Sequence, residues 1–120
     1  MFDDDSPIFL QVANTISNEI LRGVYAEGDQ VASTNEFAAF YKINPATAGK
    51  GINLLVDQGI LFKRRGIGMF VAEGAREQLL RRRKTEFNTT QLRDFIEAAR
   101  AVGITKSELK NLIDQEYENE

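Results

Sequence analysis

The sequence predicts a mainly α-helical protein with one small β-hairpin, and three observations lead there. Apolar residues recur at three- and four-residue spacing in five separate stretches, the pattern of helices that bury one face. Most of those stretches open on a capping signal or close on a glycine. One pair of strand-like runs, Ile60-Leu61-Phe62 and Met69-Phe70-Val71, flanks a basic, glycine-bearing turn, Lys63-Arg64-Arg65-Gly66-Ile67-Gly68. With 120 residues, 42% of them hydrophobic and 28% charged, the chain has the composition of an ordinary soluble domain with a small appendage.

Ser6-Pro7 opens the first helix, the serine capping free N–H groups and the proline sitting where a missing N–H loses no bond. Phe9, Val12, Ile16 and Ile20, with Ala13 beside them, form its apolar stripe, and Gly23 stops it. Val24 to Ala32 reads as a loop with a residue or two of strand, turning at Glu27-Gly28-Asp29. Ser33-Thr34-Asn35-Glu36 has the capping-box spacing, and Phe37, Ala38, Phe40 and Tyr41 give the short second helix a buried face. Lys42-Ile43-Asn44-Pro45 repeats the cap-then-proline signal. The third helix therefore starts near Pro45, carries Ala48, Ile52, Leu55 and Val56 as its stripe, and ends at Gly59. Two helices so spaced, the second opening with small polar side chains, have the dimensions of a helix-turn-helix. With the basic hairpin after them, the order is that of a winged helix-turn-helix.

The texture then changes to a helical tail. Ala75 to Phe87 is rich in helix formers, Asn88 to Thr90 offers a new cap, and Leu92, Phe95, Ile96, Ala99 and Val102 form a stripe ending at Gly103. Thr105-Lys106-Ser107-Glu108 is another capping box, followed by Leu109, Leu112 and Ile113. Residues 7–74 are thus expected to form the winged domain and residues 75–120 the tail. So short a tail buries little by itself and is expected to pack on a partner subunit or on the winged domain.

The composition excludes several kinds of chemistry. Without Cys or His there is no disulfide frame, no zinc or iron–sulfur site of the usual ligands and no Ser/His or Cys/His pair, so no metal, cofactor or enzyme activity is expected. A histidine pH switch and a thiol redox switch are excluded with them. Asp3-Asp4-Asp5 lacks the spaced donors of a calcium loop and reads as a frayed acidic terminus. No apolar run reaches the ~18 residues of a membrane span, and the acidic start is unlike a secretory signal, so a cytoplasmic location is expected.

The net charge of −3 hides an uneven distribution. Residues 1–30 hold six acids against Arg22, and residues 85–120 hold eight acids against four bases. Between them, residues 31–84 carry ten bases against four acids. A basic middle between acidic ends is what a one-sided footprint on nucleic acid would look like, a solvated charged surface being the plainer reading.

The residues now carry a family resemblance. PIFLQVANTISNEILRGVYAEGDQV followed by STNEFAAFYKINPATAGKGINLLVDQGILFKRRGIGMFVAEG resembles the winged helix-turn-helix of GntR transcriptional regulators over roughly residues 7–74. The tail of about 46 residues resembles that of the YtrA-like subfamily, which mainly dimerises; larger subfamilies carry a ligand-binding domain instead. Asn35, Pro45 and Gly49 stand where many members have arginine, so those members' base contacts do not transfer. The I-N-P-x-T opening of the third helix fits the YtrA-like pattern. The resemblance implies a bacterial DNA-binding regulator, expected to repress from a palindromic double-stranded operator as a homodimer.

In a helix-turn-helix the start of the second helix of the motif faces base edges, which here means Asn44, Ala46, Thr47 and Lys50. For Asn44 plain N-capping is the equal alternative. Ser33, Thr34 and Asn35 cap the preceding helix where phosphates would lie, and Lys63, Arg64, Arg65 and Gly66 form the wing. Gly49 and Gly51 weaken a helix interior; close approach to DNA or tight packing on a neighbouring helix would each account for one. The basic run Arg81 to Lys84 fits phosphate contact and intersubunit pairing equally. Dimerisation is assigned to Leu92, Phe95, Ile96, Leu109, Leu112 and Ile113. Control by an unidentified small-molecule effector fits the junction of domain and tail, though no residue pattern marks a pocket. The rival reading is a winged helix used for protein contact alone.

Overall fold

The computed structural model describes residues 6–119, so the Asp3-Asp4-Asp5 stretch lies outside the described residues. The backbone divides into two compact units, one up to Arg81 and one from Arg82 onward.

The first unit contains α1 (Ile8–Leu21), α2 (Thr34–Tyr41), α3 (Pro45–Asp57), β1 (Leu61–Arg64), β2 (Gly68–Val71) and the opening turns of α4 (Ala75–Glu86). Its core is built from the expected stripes: Val12, Ala13, Ile16 and Ile20 of α1 meet Ala48, Ile52 and Leu55 of α3, with Ile60, Leu61 and Val71 beside them. Each large aliphatic buried in this way contributes about 1.5–3 kcal/mol. Ala75 and Leu79 join the same core, and Gln78 Nε2 donates to the Gln58 carbonyl at 2.8 Å. Helices α1 and α3 approach closely at Gly51, where an added Cβ would lie 2.5 Å from the Phe9 carbonyl oxygen and 2.7 Å from Val12 Cβ. Tight packing therefore accounts for this glycine.

Three local expectations need correction. The residue that caps α1 is Pro7, not Ser6; its extended backbone (φ −55°, ψ 139°) places its own carbonyl to accept from Leu10 and Gln11 N–H groups, while Ser6 offers a carbonyl to Gln11 Nε2 at 2.8 Å. Phe40 is not part of the buried face of α2 and is 75% exposed. Phe37, Ala38 and Tyr41 cluster on one side of the helix, and Phe40 falls roughly 100° round from it. The strands also extend further than the apolar runs, through Lys63 and Arg64 on one side and from Gly68 on the other, leaving a tip of three residues, 65–67.

The strands pair antiparallel, Leu61 with Val71, Phe62 with Phe70, Lys63 with Met69 and Arg64 with Gly68. The segment at 28–31 adds a partial third strand to β2: Gln30 bridges Phe70, Val31 N–H donates to Met69 and Val71 N–H donates to Asp29, each at 2.9 Å. The residue or two of strand read there is present.

In the second unit the new cap at Asn88–Thr90 does not form. Helix α4 runs on through a π-helical segment, Phe87–Gln91, into α5 (Leu92–Ala101). The Leu92 N–H reaches back five residues to the Phe87 carbonyl, and Thr89 Oγ1 donates to the Thr85 carbonyl at 2.9 Å. Thr89 thus satisfies its hydroxyl within a helical backbone instead of breaking it. Gly103 (φ 78°) then ends α5, its N–H donating to the Arg100 carbonyl and that of Ile104 to Ala99. The Thr105–Glu108 capping box opens α6 (Lys106–Glu118) as expected.

Candidate nucleic-acid interface

The site is built on the turn between α2 and α3. Ser33 starts α2: its Oγ accepts from Glu36 N–H at 3.1 Å, and its own N–H donates to Glu36 Oε1 at 3.0 Å. Hydrogen bonding from the Ser33 backbone, and then from its side chain, holds the Glu36 carboxyl below the usual carboxylate range. Helix α2 ends on Lys42, the only described residue other than glycine with positive φ (56°), and Ile43 N–H reaches back to the Ala38 carbonyl at 3.0 Å. That conformation normally selects glycine, and a side chain costs about 1 kcal/mol there. Lys42→Gly is expected to raise stability by about 0.5–1 kcal/mol in urea unfolding; a loss would mean that the lysine side chain holds the turn.

Asn44 caps α3 by accepting from Ala46 N–H at 2.8 Å, leaving its Nδ2 as the side chain's donor. Ala46 and Lys50 are exposed and Thr47 is half-buried. Lys50 folds back over α1, its Nζ 4.1 Å from the centre of the Phe9 ring. Thr34 abuts this helix, its Cγ2 3.5 Å from where a Cβ on Gly49 would stand, an ordinary contact distance. The structure therefore sets the start of α2 against the second turn of α3, with Asn35 exposed next to Thr34 in the chain.

The hairpin residues have other neighbours. Lys63 shares the strand face of Leu61, whereas Arg64 lies on the opposite face, its guanidinium carbon 4.9 Å from the Phe70 ring centre and 5.6 Å from that of Phe62. The two rings stack at 5.8 Å. Arg65 and Gly66 form the tip. The Ile67 N–H donates to the Arg64 carbonyl at 2.9 Å, and Gly66 (φ 77°) supplies the positive angle that such a turn requires. Gln30 Nε2 braces the tip by donating to the Ile67 carbonyl at 3.1 Å. Sequence reasoning passed over Gln30, Lys42 and the role of Phe9. Only Phe9 carried a signal, as the outermost member of its stripe.

In the basic run, Arg81 pairs with Glu77 at 3.3 Å on the surface, Arg82 and Arg83 are half-buried and Lys84 is exposed. The second unit has an apolar groove of about 610 Å³ between α5 and α6. Phe95, Leu109, Leu112 and Ile113 line it together with Val102, Ile104 and Tyr117. Leu92 and Ile96 are half-buried and do not.

The profile of the bacterial regulatory proteins of the gntR family matches residues 9–71, more than half of the chain. The chain belongs to the GntR family. This GntR protein is 32% identical to the HTH-type transcriptional regulator YhcF of Bacillus subtilis, over 90% of its own length and 88% of the relative's. To the HTH-type transcriptional repressor YtrA of the same organism it is 29% identical, over 90% and 82%. Among solved structures, a GntR family transcriptional regulator from Listeria monocytogenes superposes with a TM-score of 0.76 at 28% identity, covering 95% of this chain and 98% of that one. The AraR DNA-binding domain in complex with operator ORX1 superposes with a TM-score of 0.56 at 30% identity, covering 60% of this chain and 93% of that one. The expected fold and the resemblance to YtrA-type regulators are both borne out.

Proposed function

We propose that this GntR protein represses transcription as a homodimer bound to a palindromic operator, in the cytoplasm. Family membership makes it a DNA-binding transcriptional regulator and not an enzyme. The observation that carries the finer reading is the pairing of two surfaces in one chain. One is the start of α2 set against the second turn of α3, with a cationic hairpin in the same unit; the other is an apolar groove in the second unit. A winged helix used only for protein contact has no need of the first. Similarity to a domain solved on its operator supports the DNA reading as well.

In this reading Asn44, Ala46, Thr47 and Lys50 read base edges, and Ser33, Thr34 and Asn35 position the unit on phosphates. Lys63, Arg64, Arg65 and Gly66 form a wing at the minor groove. The tail joins two copies, so that half-site centres lie about 10 base pairs, or a multiple of that, apart. Among the described residues no helix is long and apolar enough to cross a membrane.

The test is a titration of operator DNA, found by genomic footprinting, at several salt concentrations. The logarithm of affinity should fall with a slope of about −0.9 per phosphate neutralised, and Arg65→Ala should flatten that slope by about one unit. A slope and affinity unchanged by Arg65→Ala would reject the wing assignment.

A further inference from the structure

Between α1 and α2 of the first unit lies a pocket of about 450 Å³, lined chiefly by Glu19, Tyr25, Glu36, Phe37, Phe40 and Tyr41. Its walls are aromatic. Phe37 and Tyr41 have ring centres 4.5 Å apart at an interplanar angle of 37°, and Phe40 meets Tyr41 edge-on at 4.9 Å and 76°. The exposed Phe40 ring buries little for the fold, yet it completes this wall.

The charges in the lining are both carboxylates. Burial pushes the Glu19 carboxyl up, with Arg22 nearby acting in the opposite direction. Arg22 offsets one of the two negative charges, so the pocket as a whole favours a monocation. A small hydrated metal ion would gain little from ring faces, and an anion would meet two carboxylates. A neutral guest would leave the lining with one negative charge uncompensated. A bulky, weakly hydrated cation satisfies both features at once, because ring faces and a carboxylate attract it together.

We propose that this pocket binds an organic ammonium ion, with Glu19 as its charge partner and the Phe40 and Tyr41 rings against its alkyl groups. Glu36 also belongs to the capping box that opens α2 beside Ser33, Thr34 and Asn35. Occupancy is therefore placed to act on DNA binding, and this last step alone rests on the function proposed above.

Choline is the probe, and 3,3-dimethylbutan-1-ol is its uncharged isostere. Two of the three tyrosines of the chain line the pocket and there is no tryptophan, so tyrosine emission reports on it directly. The upfield ring-current shift of the choline methyl protons gives a second readout. Choline is expected to bind saturably and at least about tenfold more tightly than the alcohol. Phe40→Ala and Glu19→Gln should each weaken it by about fivefold. Because Phe40 is exposed, its variant should keep the fold and decides the matter if Glu19→Gln does not. Equal affinity for the alcohol, titrations unchanged in Phe40→Ala, or no saturation would each overturn the proposal. No DNA is present in this experiment, so its failure and a failure to bind an operator are told apart.

Discussion

Gly51→Ala is expected to destabilise the first unit by about 2–3 kcal/mol, although alanine normally stabilises a helix interior by about 1 kcal/mol relative to glycine. The reversal of sign comes from the crossing of α1 and α3. The new methyl would stand 2.5 Å from the Phe9 carbonyl oxygen and 2.7 Å from Val12 Cβ, the first of them backbone that can yield only by moving the helix. Gly49, two residues earlier on the same helix, makes the control. A methyl there meets Thr34 Cγ2 at 3.5 Å, and Gly49→Ala should stabilise by about 0.5–1 kcal/mol. Urea unfolding of the two variants should move the midpoints in opposite directions at unchanged slope. Midpoints that rise together would show that the helices part at no cost. A Gly49→Ala protein that is more stable but binds operator more weakly would assign this glycine to a close approach of DNA.

Leu112→Asp should have the largest effect on function. Leu112 lines the α5–α6 groove and is 46% exposed, so a carboxylate there disturbs little within one chain but would be desolvated under a second copy. Sedimentation should report a monomer. Operator affinity should then fall by about a hundredfold or more, since a tethered second half-site is bound at high effective concentration and a lone unit has none. The circular dichroism of the variant should match that of the parent. A dimer that persists in Leu112→Asp would mean that copies associate through another surface.

What the sequence makes legible here is chemistry that acts over a few residues. Ser33 with Glu36, Asn44 with Pro45, and Thr105 with Glu108 mark helix starts because the capping atoms and their partners are near neighbours in the chain. Gly23, Gly59 and Gly103 mark helix ends because all three take the left-handed conformation that favours glycine. The α1 and α3 stripes predict the core for a similar reason. Reading fails where a local preference has two outlets. Asn88 to Thr90 resembles a cap, but the Thr89 hydroxyl bonds to the preceding turn and the helix continues. Phe40 looks like a core residue until the geometry of an eight-residue helix places it off the buried face. In the candidate interface, residue types and their order are legible, but the restraints on them are not. The ring that holds Lys50 comes from Phe9 on another helix, and the brace on the hairpin tip comes from Gln30 in a loop.

Arg64 shows what such restraint means for binding thermodynamics. Its guanidinium is already laid against Phe70 and Phe62. A long side chain fixed only on encounter gives up rotamer freedom worth about 1 kcal/mol, whereas one ordered during folding has already given up much of it. Whatever Arg64 meets outside the chain, the two rings shift part of the entropic penalty of that encounter into the folding of the hairpin.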